Sequence, residues 1–238
     1  MNTQQQALLG ILGGMGPLAT VDFLGKLIRL TPATRDQDHI PWITFNQPGI
    51  PDRSTAIKAG NDAPAPFLTQ GVAWLAEQGT KLIAVPCNTS HFWYEQMQAA
   101  SSVPILHIAD ATIEELQLSP IPAGSVAILA TRGTVQAGIY SKRLTSKGFA
   151  LATVSEEDQC IVDQVIADVK AGQLGPARDA MRVLLQALNA RGVNTVILGC
   201  TELPLAHMVR SGEAPGGLQA IDTSLALATV SLRRLGYL

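Results

Sequence analysis

At 238 residues, with 47% hydrophobic and 15% charged side chains, the chain can bury a full core as one large domain or two small ones, and it is not disordered. A net charge of −2 and the lack of any lysine–arginine cluster exclude a nucleic-acid-binding face. No apolar run reaches the roughly 20 residues of a bilayer span, and residues 1–6 lack the basic start and apolar core of a secretory leader. The expected setting is therefore cytoplasmic, away from membranes, where the three cysteines stay reduced.

Residues 7–12 form an apolar run between turn residues, the pattern of a buried strand. Gly13-Gly14-Met15-Gly16-Pro17 follows, then an amphipathic segment over 18–30. Such a loop suits either an anion at the helix start or a tight turn that needs positive φ. Its spacing matches neither Gly-x-Gly-x-x-Gly nor the phosphate loop. Residues 40–46 read as a strand with Pro41 at its edge or start. A loop rich in proline and glycine follows and ends at Arg53, either a carboxylate clamp or a solvated arginine. Helix 65–78, a strand from 82, helix 90–100, strand 103–108 and helix 111–118 complete the first half, and 119–124 is the linker candidate.

The second half starts again. Strand 125–130 and the loop Thr131-Arg132-Gly133-Thr134 echo residues 11–16. Helix 136–147, strand 151–154, helices 157–170 and 177–190, a strand from 195, helix 203–210, strand 219–221 and helix 223–234 follow. The last helix is expected to pack back on the first half. Strands alternating with helices imply βαβ units, mainly parallel sheets, and a site at the carboxyl ends of the strands.

One device occurs twice. Leu82-Ile83-Ala84-Val85-Pro86-Cys87-Asn88-Thr89 and Thr195-Val196-Ile197-Leu198-Gly199-Cys200-Thr201-Glu202 each carry a cysteine to the end of an apolar run. A helical pattern stops at Gly79 and at Gly192, each eight positions before its cysteine. This is an internal duplication that points two thiols at one site. A thiol between a strand end and a helix start lies near the positive end of a helix dipole, so its pKa is expected to fall below the ordinary value.

Two facing thiols can form a disulfide if their Cα atoms come within about 7 Å. They can hold zinc with two further donors from His91, His107, Cys160 and His207, although none falls at a metal-site spacing. A Cys–His hydrolase with His91 leaves the second cysteine without a task. Inverting a stereocentre uses both: one group takes a proton from one face of a carbon and the other returns one to the opposite face. Asn88, Thr89 and Thr201, with nearby backbone N–H groups, are the donors placed to stabilise charge developing on the substrate carboxylate.

These residues resemble the aspartate/glutamate racemase family, the cofactor-independent amino-acid racemases, over nearly the whole chain. Gly13–Pro17 with Ala19-Thr20 looks like the family's opening motif, and Pro51-Asp52-Arg53 like its substrate loop. Pro86-Cys87-Asn88-Thr89-Ser90-His91 and Leu198-Gly199-Cys200-Thr201-Glu202-Leu203-Pro204 look like its two catalytic signatures. The resemblance implies an α/β fold of two similar pseudo-symmetric domains, each a mainly parallel sheet flanked by helices, with the site in the cleft between them. The domains expected are 1–118 plus 222–238, and 119–221.

The resemblance also implies an isomerase acting on a small amino acid, with no cofactor and no metal, working as a homodimer. Cys87 and Cys200 would be the acid/base pair. Asn88, Thr89 and Thr201 would hold the α-carboxylate, Arg53 and Lys170 the acidic side chain or its carboxylate, and Met15 and Thr131 would line the cleft. Glu202 stands where glutamate racemases proper have histidine, which favours the aspartate-type branch; it either tunes Cys200 or caps a helix. His91 is expected to cap or pack beside the site, and Cys160, His107 and His207 to be structural, with Cys160 in the core. Aspartate or glutamate is the expected substrate. The alternatives are a racemase of neutral amino acids such as homoserine or methionine, a related two-cysteine enzyme (maleate isomerase, hydantoin racemase or arylmalonate decarboxylase), and a non-catalytic thiol redox or metabolite-binding protein.

Overall fold

The apolar runs become central strands covered by helices on both faces, which is why they lack polar alternation. In the computed structural model, which describes residues 7–119, 125–206 and 218–238, β1 (Leu9–Gly13) is buried throughout. It pairs in parallel with β2 (Trp42–Asn46) and β3 (Leu82–Ala84), and β4 (Ile105–Leu106) pairs with β3. In the second half β5 (Ser125–Ala130) pairs in parallel with β6 (Ala150–Leu151) and β7 (Thr195–Gly199), and β8 (Gln219–Asp222) with β7. The orders β2-β1-β3-β4 and β6-β5-β7-β8 are one topology drawn twice. The fold is α/β, with two parallel sheets flanked by helices.

The glycine stops are built alike. Helix α3 (Ala65–Glu77) ends before Gly79 at φ 79°, and α9 (Leu174–Ala190) before Gly192 at φ 81°. Glycine takes this left-handed region without a Cβ penalty. The Leu75 carbonyl accepts from the Thr80 hydroxyl at 3.0 Å as well as from the Gln78 N–H at 3.2 Å. Its counterpart Leu188 accepts from the Val193 N–H at 3.1 Å.

One face of the first sheet is covered by α1 (Pro17–Leu30), α5 (Ile108–Leu118) and the terminal helix α11 (Thr223–Arg234). Leu227, Val230 and Leu232 of α11 are fully buried there, each contributing about 1.5–3 kcal/mol relative to exposure. The last helix thus returns to the first half, as its position past the second half's own elements implies. The other face carries α2 (Arg53–Ala59), α3 and α4 (Tyr94–Ala99). Helices α8 (Glu156–Lys170), α9 and α10 (Leu203–Ala206) cover the second sheet on one side. Helix α5 presents Ala109, Ile113 and Leu116 to the opposite side and so packs on both sheets.

Four expectations change. Helix α2 begins at Arg53, where the expected loop ends, and fills residues 54–59, to which no element was assigned: Asp52 caps it by accepting the Thr55 N–H at 2.8 Å, and Gly60 ends it at φ 65°. The helix expected over 136–147 keeps only α7 (Ser141–Ser146); the short α6 (Arg132–Gln136) before it falls mostly on the loop expected over 131–134, and Gly138 at φ 65° separates the two. The strand expected over 103–108 keeps only β4, because His107 already caps α5 by accepting the Ala109 N–H. Cys160 is exposed on α8 beside Glu156 and Arg132, not in the core. Most of the linker at 119–124, residues 207–210 of the expected last-but-one helix, and His207 lie outside the described residues.

Candidate active site

β3 and β7 end at matched places in their sheets, so the turns that follow carry Cys87 and Cys200 to the carboxyl edges of both. The two thiols are free, buried, and line one narrow cleft between the halves. Met15, Arg53, Asn88, Thr89, Thr131, Lys170, Thr201 and Glu202 line the same cleft, with Asp52 and Ser54. Its empty volume is about 310 Å³, of which about 20 Å³ is open to the centre of a water molecule, roughly what one water needs. A wider cavity, with an empty volume of about 1160 Å³ against the cleft's 310 Å³, adjoins it and shares Ser54. The wall between them is tight, for a Cβ built on Gly133 of α6 lies 2.7 Å from Ser54 of α2.

The glycine-rich loop is a tight turn. Gly14 has φ 98°, a Cβ there would come within 2.4 Å of the Gln47 backbone, and its N–H is donated to Thr20 Oγ1 at 2.9 Å. Gly16 lets this loop approach the other half, since a Cβ there would lie 3.3 Å from Glu202 Oε1.

Around Cys87 the partners are neutral. Ser90 Oγ donates to the Cys87 carbonyl at 2.8 Å. The Asn88 carboxamide is bonded at both ends: its oxygen accepts from the Tyr140 hydroxyl, and its nitrogen donates to Thr223 Oγ1 at 3.1 Å. One amide N–H of Asn88 remains for the cleft. The Thr89 hydroxyl joins those of Thr131 at 3.0 Å and Thr134 at 2.8 Å, which ties the two halves together. His91 does not line the cleft. It packs beneath the turn, with Nε2 3.1 Å from the Val85 carbonyl and its ring centroid 4.6 Å from that of His107. Burial, with the charges of His107 and Arg143, holds its pKa well below the ordinary imidazole value.

Cys200 is set differently. Its thiol donates to Glu202 Oε2 at 2.9 Å, and Thr201 Oγ1 lies 3.5 Å from the same oxygen. Burial, then the Glu202 charge and its hydrogen bond, push this thiol well above its ordinary range. The lowered pKa expected from a helix dipole is not found here. Helix α10 is a single turn, and a dipole that short offers little against a carboxylate in direct contact. The Glu202 side chain faces the thiol and does not cap α10 through its carboxylate.

Two cations, Arg53 and Lys170, line the cleft as well. Arg53 Nη1 donates to the carbonyls of Ile50 and Pro51 at 3.2 Å, and its buried Nε has no partner. Lys170 is exposed at the end of α8. Burial alone would raise the Asp52 carboxyl, but the Thr55 N–H and hydroxyl, with the charges of Arg53 and Lys170, bring it below its ordinary value. Among the described residues no group of three or more His, Cys, Asp or Glu is placed to hold a metal ion, and no helix is long and apolar enough to cross a membrane. Ser54, Tyr140 and Thr223 were not singled out from sequence, and Asp52 was named only within the Pro51-Asp52-Arg53 motif. For Asp52 and Ser54 the cap signal Asp52-x-x-Thr55 was there to read; for the others no local pattern exists.

A family model described as Asp/Glu/Hydantoin racemase matches residues 12–230. The broad specificity amino-acid racemase RacX of Bacillus subtilis is 32% identical over 227 residues, covering 93% of this chain and 95% of that protein. A glutamate racemase of Pseudomonas putida is 26% identical over 246 residues, covering 98% of this chain and 83% of that protein. The structure of Picrophilus torridus aspartate racemase matches with a TM-score of 0.85 at 31% identity, covering 97% of this chain and 94% of that one.

Proposed function

Because the chain belongs to the Asp/Glu/Hydantoin racemase family, we propose that it racemises an acidic amino acid, aspartate or glutamate, by passing the α-proton between Cys87 and Cys200. The observation that carries this reading is that two buried thiols, from matched turns of the two halves, line one cleft. In one direction Cys87 takes the proton from Cα while Cys200 delivers its own to the opposite face. The return exchanges the roles. Glu202 serves both: it holds the Cys200 proton until it is needed, and its charge makes the thiolate left behind a stronger base for the return.

The α-carboxylate is held by Thr89, Thr201 and the spare N–H of Asn88, which stabilise charge as the α-carbon ionises. Arg53, whose buried Nε has no partner, and Lys170 meet the side-chain carboxylate. Met15 and Thr131 complete the walls. The thiols supply both proton-transfer groups, so the scheme needs no cofactor. An amino acid needs more room than the cleft offers, so it enters when α2 and α6 part at Ser54 and Gly133. The units that part are 1–118 with 222–238, and 119–221. We assign the working form as a cytoplasmic homodimer, with exposed Leu18, Val21 and Ile28 of α1 as its apolar surface.

A second reading is racemisation of neutral amino acids. Asp52 and Glu202 balance Arg53 and Lys170 in the cleft, and the B. subtilis relative is named for broad specificity. The test is incubation of L-aspartate, L-glutamate, L-homoserine and L-methionine with the protein in D₂O. Deuterium at Cα of the acidic pair, together with the D-enantiomer, is the expected result. Label only in the neutral pair favours the second reading, and no label in any of them contradicts racemisation.

A further inference from the structure

Asn88 follows the first thiol, and its carboxamide is bonded to Tyr140 of the second half and to Thr223 at the start of the terminal helix. The Tyr140 hydroxyl, from the start of α7, donates to Asn88 Oδ1. Asn88 Nδ2 donates to Thr223 Oγ1 at 3.1 Å, and that hydroxyl donates onward to the Leu198 carbonyl at 2.9 Å. Leu198 lies two positions before Cys200. The Tyr140 ring also passes close to Gly199, where a built Cβ would lie 3.4 Å from its Cε2. Two routes therefore join the residue after Cys87 to the residues before Cys200. One runs through Thr223 and the other through Tyr140.

All the side chains involved are buried. The Tyr140 hydroxyl is also hydrogen-bonded to the Thr112 and Thr223 side chains, so these groups form one buried network. Burial pushes the Tyr140 phenol up, which keeps it a donor. In a low-dielectric interior such a network resists stretching, because breaking any link leaves a polar group unpaired.

We infer that Tyr140 and Thr223 are positioning residues that set the spacing of the two thiols through Asn88, and so decide whether a proton lost from one face of the substrate is replaced at the other. This rests on proton transfer between Cys87 and Cys200. Breaking the Cα–H bond forms S–H on one sulfur, and inversion requires the other sulfur's proton to reach the opposite lobe of the carbanion. A displacement of about 1 Å can cost 10²-fold in such a transfer. If the second sulfur sits too far away, the first returns a proton to the face it came from.

The experiment is early-time deuterium uptake in D₂O from single L-enantiomers of aspartate, glutamate, homoserine and methionine. It is read as label in the remaining L form against label in the D form. In the unaltered protein the label enters chiefly the D form. Tyr140→Phe and Thr223→Val should lower inversion by about 10- to 100-fold and raise the ratio of retained to inverted label several-fold. Thr223→Ser keeps the hydroxyl and should keep the original ratio. A merely structural role would reduce both labels alike through a smaller folded fraction and leave the ratio unmoved. If one variant fails to fold, the other answers alone. An unmoved ratio in variants of a protein that racemises overturns this inference only. No uptake by the unaltered protein from any of the four overturns the two-thiol proposal, and this inference with it.

Discussion

The two cysteine turns share a backbone plan and differ in what surrounds the sulfur. Both follow a parallel strand, both are preceded by a left-handed glycine stop, and both end buried in the same cleft. The Cys87 turn is surrounded by neutral hydrogen bonds and backs onto His91. The Cys200 turn carries a carboxylate in contact with its thiol. Duplication supplied mirrored positions, and later side-chain choice gave the two positions different electrostatics. A reaction that runs both ways asks for this: matched geometry, with each thiol's proton held by a different means.

The sharpest way to break the comparison is to remove one sulfur at a time. Cys87→Ser and Cys200→Ser should each lower racemisation by about 10²- to 10⁴-fold, the range for an acid/base group, as measured by polarimetry. If one variant keeps full activity, the two turns are not partners. Next in size is Glu202→Gln. Losing a charge-assisted hydrogen bond of about 1.5–3 kcal/mol should cost roughly 10- to 100-fold in kcat. It should also move the alkaline limb of the pH–rate profile to lower pH, because the charge that holds the Cys200 thiol up is gone.

A smaller effect separates the turns by pH. His91 and His107 lie behind the first turn, whereas four positions past Cys200 stands Pro204. Burial holds the His107 pKa at about 3 and the His91 pKa well below its ordinary value. In the unfolded chain both imidazoles take a proton below about pH 6.5. The unfolded state then binds more protons, so stability is full above that pH and falls as pH drops. The slope is about 1.4 kcal/mol per pH unit for each imidazole. Urea midpoints at pH 7.5 and 5.5 should show the loss, and His107→Phe should reduce it. The smallest effect tests what the turns share: Gly79→Ala and Gly192→Ala should each cost about 1 kcal/mol. Both positions are open, with nothing within 4 Å of a built Cβ, so the two costs should be equal in thermal melts.

Much of this was legible because it is local. Apolar runs, glycine stops and the repeated cysteine turns are short-range patterns, and they were enough to bring Cys87, Asn88, Thr89, Cys200 and Thr201 together before any coordinates; Met15, Arg53, Thr131, Lys170 and Glu202 of the same cleft came from the family resemblance. Helix α2 escaped because proline and glycine in residues 47–51 drew the reading towards a loop and away from the cap at Asp52. Cys160 was misplaced because a helical pattern marks a face without saying what covers it. The raised Cys200 thiol was missed because the sign of its shift depends on where the Glu202 carboxylate turns, which spacing does not fix. Tyr140 and Thr223 were invisible because their bonds to Asn88 span 52 and 135 positions.

The central claim is that the two sulfurs serve opposite faces of one carbon. The most direct measurement is α-deuterium uptake by the two single-cysteine variants from each enantiomer separately. The account predicts slow uptake from one enantiomer by Cys87→Ser and from the other enantiomer by Cys200→Ser, with neither variant inverting its substrate. Uptake from the same enantiomer by both would contradict it.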